Sequence, residues 1–161
     1  MTAIQLAVLQ KDFEIVKILA PISEAPNAPF PSTHCDERLT PIQWATIFSF
    51  EGYSENIVAL APLVDNPNAP INDHGFTILQ KVIHKAVRGD SDKRKEAMHV
   101  IRAIVPLVDN PNAPDPEGKT LLEIAKENEE CYNEVFKIVN DSKNLKISRM
   151  LNRLRKKRLN K

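Results

Sequence analysis

Apolar residues recur along this chain in short stretches with helical spacing. Phe13, Ile15, Val16, Ile18 and Leu19 form one such stretch; Ile57, Val58 and Leu60 form another. Met98, Val100, Ile101 and Ile104 form a third, and Val135, Phe136, Ile138 and Val139 a fourth. Apolar positions at i, i+3 and i+4 describe a helix buried along one side. Each stretch is preceded by a shorter one that opens on threonine: Thr2-Ala-Ile-Gln-Leu-Ala7, Thr40-Pro-Ile-Gln-Trp-Ala45, Thr77-Ile-Leu-Gln-Lys-Val82 and Thr120-Leu-Leu-Glu-Ile-Ala125. A threonine in that place caps a helix, and Pro41 sits in the first turn, where proline is tolerated. The pattern predicts a helix pair used four times, with the threonines 38, 37 and 43 residues apart.

The connectors repeat in the same phase. Pro-Leu-Val-Asp-Asn-Pro-Asn-Ala-Pro occurs identically at Pro62–Pro70 and Pro106–Pro114, with a worn copy at Pro21–Pro29. Nine identical residues in so short a chain mark true internal repetition. Pro21, Pro62 and Pro106 are expected to stop or kink the second helix of each pair, leaving Leu-Val-Asp-Asn as a separate turn. Asn72-Asp-His-Gly75 and Asp115-Pro-Glu-Gly118 read as tight turns. Asn66 and Asn110 are the nearest substitutes for a helix-ending glycine, although the proline after each favours extended backbone. The third pair carries Arg88-Gly-Asp-Ser-Asp-Lys-Arg-Lys95 between its helices, a polar insertion read as a surface loop or a helical extension.

These motifs resemble the ankyrin repeat family. Thr40-Pro-Ile-Gln-Trp-Ala45 is similar to the family's first-helix signature, Thr-Pro-Leu-His-x-Ala. Phe13–Leu19 is similar to its second helix, and Asp115-Pro-Glu-Gly-Lys-Thr120 to its hairpin lead-in. The resemblance covers residue 2 to about 140. It departs in unit length and in the signature histidine, which is Gln5, Gln43, Gln80 and Glu123 here; Gln can still bridge neighbouring units, and Glu123 fits less well. The implied fold is all-α, a helical repeat solenoid with units near 1–29, 30–70, 71–114 and 115–142, followed by a basic amphipathic helix or tail at 143–161.

Such units bury a continuous core only by stacking, and stacking leaves an extended concave surface. The resemblance implies protein–protein binding through hairpin tips and the inner helix face. Carried onto this chain, those positions are Asp36, Glu37, Leu39, Ile47 and Phe48 in the second unit. They are Asp73, His74, Phe76, His84 and Lys85 in the third, and Pro116, Glu117, Lys119, Glu127 and Asn128 in the fourth. Phe48 and Phe76 are candidate aromatic anchors if they face outward, and packing residues if they sit between units. Trp44, inside the signature, reads as a packing residue.

Charge adds a second candidate. The net charge of +1 hides an acidic body and a tail, residues 143–161, with nine Lys/Arg and no acid. Arg149, Arg153, Arg155, Lys156, Lys157 and Arg158 supply the charge, while Ile147, Met150, Leu151 and Leu154 fall on one helical stripe. The stripe is expected to cap the last unit as far as Leu154. The basic cluster suits a nuclear-targeting signal, nucleic acid, an anionic membrane or a calmodulin-like partner, or simply folds back on the acidic body. At the other end, Val8, Leu9, Ile15 and Leu19 would face solvent or a partner, so self-association through that edge is a further expectation.

Little else points to chemistry. Adjacent His34 and Cys35 do not converge easily on one ion, and His74, His84, His99 and Cys131 lack the short paired spacings of zinc sites. No nucleophile elbow, phosphate loop or metalloprotease helix is present. Neither an enzyme nor a cofactor is expected. Two distant cysteines and no apolar run of membrane length place the expectation inside the cell, in cytoplasm or nucleus.

Overall fold

The structure is a computed structural model that describes residues 1–31, 39–47, 52–71 and 74–159, with side chains through 147. Asp36, Glu37, Phe48 and Asp73 lie outside the described residues, as do the side chains of Arg149, Arg153, Arg155, Lys156, Lys157 and Arg158. The described residues are all-α: α1 (Ala3–Leu9), α2 (Phe13–Leu19), α3 (Pro41–Ile47), α4 (Ser54–Leu60), α5 (Ile78–Arg88), α6 (Ser91–Ile104), α7 (Leu121–Ala125) and α8 (Glu129–Leu159). Successive helices pack as pairs, α1 on α2 through α7 on α8. The first helices of the pairs also touch one another in sequence, as do the second helices, so the helices form two layers.

Local chemistry explains where each first helix starts. Thr2, Thr77 and Thr120 are N-caps whose hydroxyls accept the N–H of Gln5, Gln80 and Glu123, and those side chains accept the threonine N–H in return. Thr40 and Gln43 make the same reciprocal bonds. Two of the orphan donors at each helix start are thereby satisfied.

A third comes from the repeated connector. Ala28, Ala69 and Ala113 donate their N–H groups to the carbonyls of Ala25, Asn66 and Asn110, so each Pro-Asn pair is the centre of a β-turn. The turn aims its asparagine at the next helix. Asn27 Oδ1 accepts from Ile42 N–H at 3.3 Å, Asn68 from Leu79 at 2.9 Å and Asn112 from Leu122 at 2.9 Å. Threonine thus takes the third amide of each first helix, and in α3, α5 and α7 the connector's asparagine takes the second. Asn66 and Asn110 are not left-handed; Lys11 is the non-glycine residue with positive φ among those described.

As the sequence predicts, the α-helices stop short of the prolines: α2, α4 and α6 end at Leu19, Leu60 and Ile104, and Pro21, Pro62 and Pro106 lie inside 3-10 turns, Ala20–Ile22, Ala61–Leu63 and Val105–Leu107, which follow directly. Tighter winding carries the chain past the missing N–H. Leu63 and Leu107 therefore belong to these turns, and the separate turn begins only at Asn66 and Asn110. The insertion at Arg88–Lys95 is a helical extension: α5 has 11 residues and α6 has 14, against 7 in each helix of the first two pairs.

The core runs between the layers. Val16, Ile57 and Ile101 occupy the same place in successive second helices and are fully buried, as are Leu60 and Ile104. Each such side chain contributes about 1.5–3 kcal/mol of burial free energy. Trp44 packs against this core and on Phe30, with ring centroids 5.3 Å apart. Cys131 is buried, its thiol donating to the Ala86 carbonyl at 3.5 Å, and burial pushes its pKa up. Val8 is buried too, which corrects the expectation that it faces outward; Leu9 and Leu19 are half-buried and Ile15 is exposed.

At the carboxyl end, α8 runs unbroken to Leu159, so the basic segment continues that helix. Ser142 donates to the Val105 carbonyl, and Lys146 reaches the Val108 carbonyl. Ile147 is exposed and does not serve the capping role expected of it. Among the described residues, no helix is long and apolar enough to cross a membrane.

Candidate functional site: the hairpin and first-helix face

Between the connector of one pair and the first helix of the next, a backbone hydrogen bond brings the two ends of the intervening segment together. Phe30 N–H donates to the Leu39 carbonyl, Ile71 to Phe76 at 2.7 Å, and Asp115 to Lys119 at 2.8 Å. Gly75 and Gly118 both have φ of +82°, a conformation open to glycine and costly for other residues. In the last hairpin, buried Asp115 stiffens the turn: its Oδ1 accepts the N–H groups of Glu117 at 2.9 Å and Lys119 at 2.8 Å. Neighbouring tips come together, since a Cβ placed on Gly75 would lie 3.7 Å from Pro116 Cγ.

The tips present polar side chains. His74, Pro116, Glu117 and Lys119 are exposed, with Lys119 Nζ 3.9 Å from a Glu117 oxygen. Glu127, just beyond α7, is exposed as well. His84, on α5, is half-buried, and its pKa is lowered, first by burial and then by Arg88. Glu127, Asp115 and Glu117 pull it the other way, so acids of the fourth unit act across the boundary on a base of the third.

Other residues carried over from the ankyrin resemblance sit elsewhere. Leu39 is buried, and its carbonyl belongs to the hairpin, so its side chain is not available to a partner. Phe76 and Ile47 are half-buried and packed against the core, so the packing reading of Phe76 is the one the structure favours. Lys85 is also buried, its Nζ 3.3 Å from Glu96 of α6. Asn128 accepts the Cys131 N–H at 3.1 Å, where it holds the start of α8. Packing between neighbouring segments explains these corrections: a site list taken by alignment picks the right segments but not which of their side chains the neighbours cover.

Two groups of residues escaped the sequence reading. Ile22, Leu63 and Leu107 are exposed aliphatics at the same place in three units, directly after Pro21, Pro62 and Pro106. Their phase in the repeat was the available signal. Lys81, Arg88 and Lys93 meet at a cleft between α5 and α6, and nothing short of the two helices' contact reveals that meeting.

No protein-family model matches this chain, and neither a curated protein nor a solved structure matches it.

Proposed function

We propose that the chain is a non-catalytic binding module of four stacked ankyrin-like units, a short helical solenoid, that holds a protein partner on its hairpin tips and first-helix face. One observation carries the reading. Repeated polar side chains, Gln5, Gln43 and the connector asparagines, are used to join the units, whereas those at the tips are not. Gln5 Nε2 donates to the carbonyls of Ala28 and Pro29, both at 2.9 Å, and Gln43 Nε2 donates to Pro70. Gln5 and Gln43 thereby tie α1 and α3 to the connectors that follow, and Asn27, Asn68 and Asn112 tie α3, α5 and α7 to the connectors that precede. His74, Pro116, Glu117, Lys119 and Glu127 lie outside those ties, exposed on adjacent tips. Side chains that differ from unit to unit while the framework repeats are what a recognition surface requires.

The test compares proteins captured by the wild-type chain with those captured by a variant carrying His74→Ala, Glu117→Lys and Glu127→Lys. An outer-face variant, Phe136→Ala with Lys137→Glu, serves as control. The reading expects a protein that the tip variant loses and the control keeps, with melting temperatures unchanged. Identical captures by all three would overturn it.

A second reading has its own support. Because α8 continues to Leu159, Arg149, Arg153, Arg155, Lys156, Lys157 and Arg158 lie on one helix with no acid among residues 143–161. That segment would bring an intracellular adaptor to nucleic acid or an anionic membrane. Neutralising those residues to glutamine should then abolish a salt-sensitive mobility shift or vesicle binding. Binding that is unchanged in that variant would end this reading.

A further inference from the structure

We propose that this chain stacks head to tail on further copies of itself, with α2 of one copy packed on α8 of the next. Inside the chain the second helices meet in sequence, α2 on α4, α4 on α6 and α6 on α8. Val16, Ile57, Ile101 and Val135 hold the same fully buried place in these four helices. Counting from that residue identifies which side of each helix meets its neighbour.

The joint between α6 and α8 shows both sides. Arg102 and Pro106 face Glu134, Lys137 and Ile138 across a groove, and Arg102 holds Glu134 in an ion pair. The side that α8 turns to α6 is therefore the residue before Val135 and those two and three after it. The side that α6 turns to α8 includes the residue after Ile101. In α4 and α6 the place of Glu134 is taken by fully buried Asn56 and by Val100, only 2% exposed. Leu60 and Ile104, in the place of Ile138, are fully buried as well.

On α2 the same side is apolar and open. Ile15, in the place of Val100, is 42% exposed, and Ile18 is 65% exposed. Leu19 is half-buried where Leu60 and Ile104 are covered completely. Leu6 of α1 is exposed too, whereas Ile124, at the same count from its threonine, is fully buried. The matching half lies on α8. Phe136 stands in the place of Arg102 and is 46% exposed, stacked on Tyr132 with ring centroids 5.8 Å apart. Tyr132 in turn stands in the place of Met98, which the α6–α8 joint buries. Repeating that joint between copies sets Phe136 of one against Ile15 of the other, an aromatic ring on an aliphatic side chain where the internal joint has an ion pair. A second copy is therefore the occupant that fits: the two open sides are the two halves of a joint already used between neighbouring helix pairs of this chain. Removing their apolar surface from water supplies the driving force.

A head-to-tail contact leaves one half free at each end, so copies add until a ring closes or a filament grows. The inference does not rest on the hairpin tips, and loss of assembly leaves partner capture there intact. Sedimentation velocity of the full chain from micromolar to millimolar concentration tests it. The average mass is expected to climb past the dimer, or to settle at a closed ring of three or more copies. Ile15→Glu with Ile18→Glu blocks one half of the joint and Phe136→Glu the other, so each variant alone should be monomeric. Mixed in equal amounts they should form a one-to-one dimer, because each supplies the half that the other lacks. Phe136→Ala, the milder change, should weaken assembly about tenfold or more, and circular dichroism checks that every variant is folded. A wild-type chain that stays monomeric overturns the proposal, as does a mixture of the two blocked variants that stays monomeric. So does a dimer that survives Phe136→Glu, since two α2 faces then pair with each other. Assembly that raised salt dissolves overturns it too, since the basic helix on an acidic body then holds the copies.

Discussion

Asn68 of the second connector accepts the backbone N–H of Leu79, the second residue of α5, at 2.9 Å. Asn112 and Leu122 repeat the relationship at the same distance, and Asn27 and Ile42 repeat it at 3.3 Å. The Pro-Asn-Ala-Pro motif is thus a helix cap delivered from the preceding unit. Asn68→Ala and Asn112→Ala should each cost about 1 kcal/mol, up to about 2, while Asn→Asp at either site keeps the acceptor and costs less. Urea titration measures this, and unchanged midpoints in both alanine variants would show that the caps are idle.

Gln5 is buried and donates both its side-chain hydrogens to connector carbonyls. Gln5→Glu removes the donors and sets a carboxylate against two carbonyl oxygens. A loss of about 1–3 kcal/mol or more is expected at neutral pH, read from chemical denaturation. A variant as stable as the wild type would mean that Gln5 does not tie α1 to its connector.

Glu123 stands in the same place in the last unit, where its acceptors take the Thr120 N–H and hydroxyl, each at 2.8 Å. Those bonds hold its carboxyl below the ordinary value of 4.5, the Thr120 N–H contributing most. A depressed folded-state pKa adds stability that is present above the unfolded value and lost as pH falls through the folded one. The wild type should melt above Glu123→Gln at about pH 7, with the gap closing as pH falls below the ordinary carboxyl value and through the lowered folded-state one. A gap that is constant with pH would contradict this.

Asn56 is fully buried on α4, and neither atom of its amide has a hydrogen-bond partner. The same place in the third unit holds buried Val100. Asn56→Val should therefore stabilise the protein by about 1–3 kcal/mol, raising its melting temperature. Destabilisation by that change would show that the asparagine amide is satisfied in solution.

The helix pairs were legible because the periodicity of Phe13–Leu19 or Met98–Ile104 follows directly from which side of a helix is buried. The capping role of Thr2, Thr40, Thr77 and Thr120 was legible for the same local reason. The task of Asn27, Asn68 and Asn112 was not, although their repetition was plain, because the amides they cap lie 10 to 15 residues away. The prolines were legible in part: α2, α4 and α6 stop two residues before Pro21, Pro62 and Pro106, as expected, but helical propensity alone does not show that 3-10 turns follow and hold those prolines. Candidate-site residues divided the same way. His74, Glu117 and Lys119 are exposed because they stand on turns at the ends of the helices, whereas Leu39, Phe76 and Lys85 are covered by packing that the sequence does not display.

Amide hydrogen exchange on the full chain, with and without a captured partner, tests the central claim most directly. Slowed exchange on binding is predicted in the hairpin tips around 74–76 and 115–119 and beside Glu127, with the outer helices α2, α4 and α6 unchanged. Protection confined to α2, α4 and α6, with those tips exchanging as in the free chain, would contradict the account.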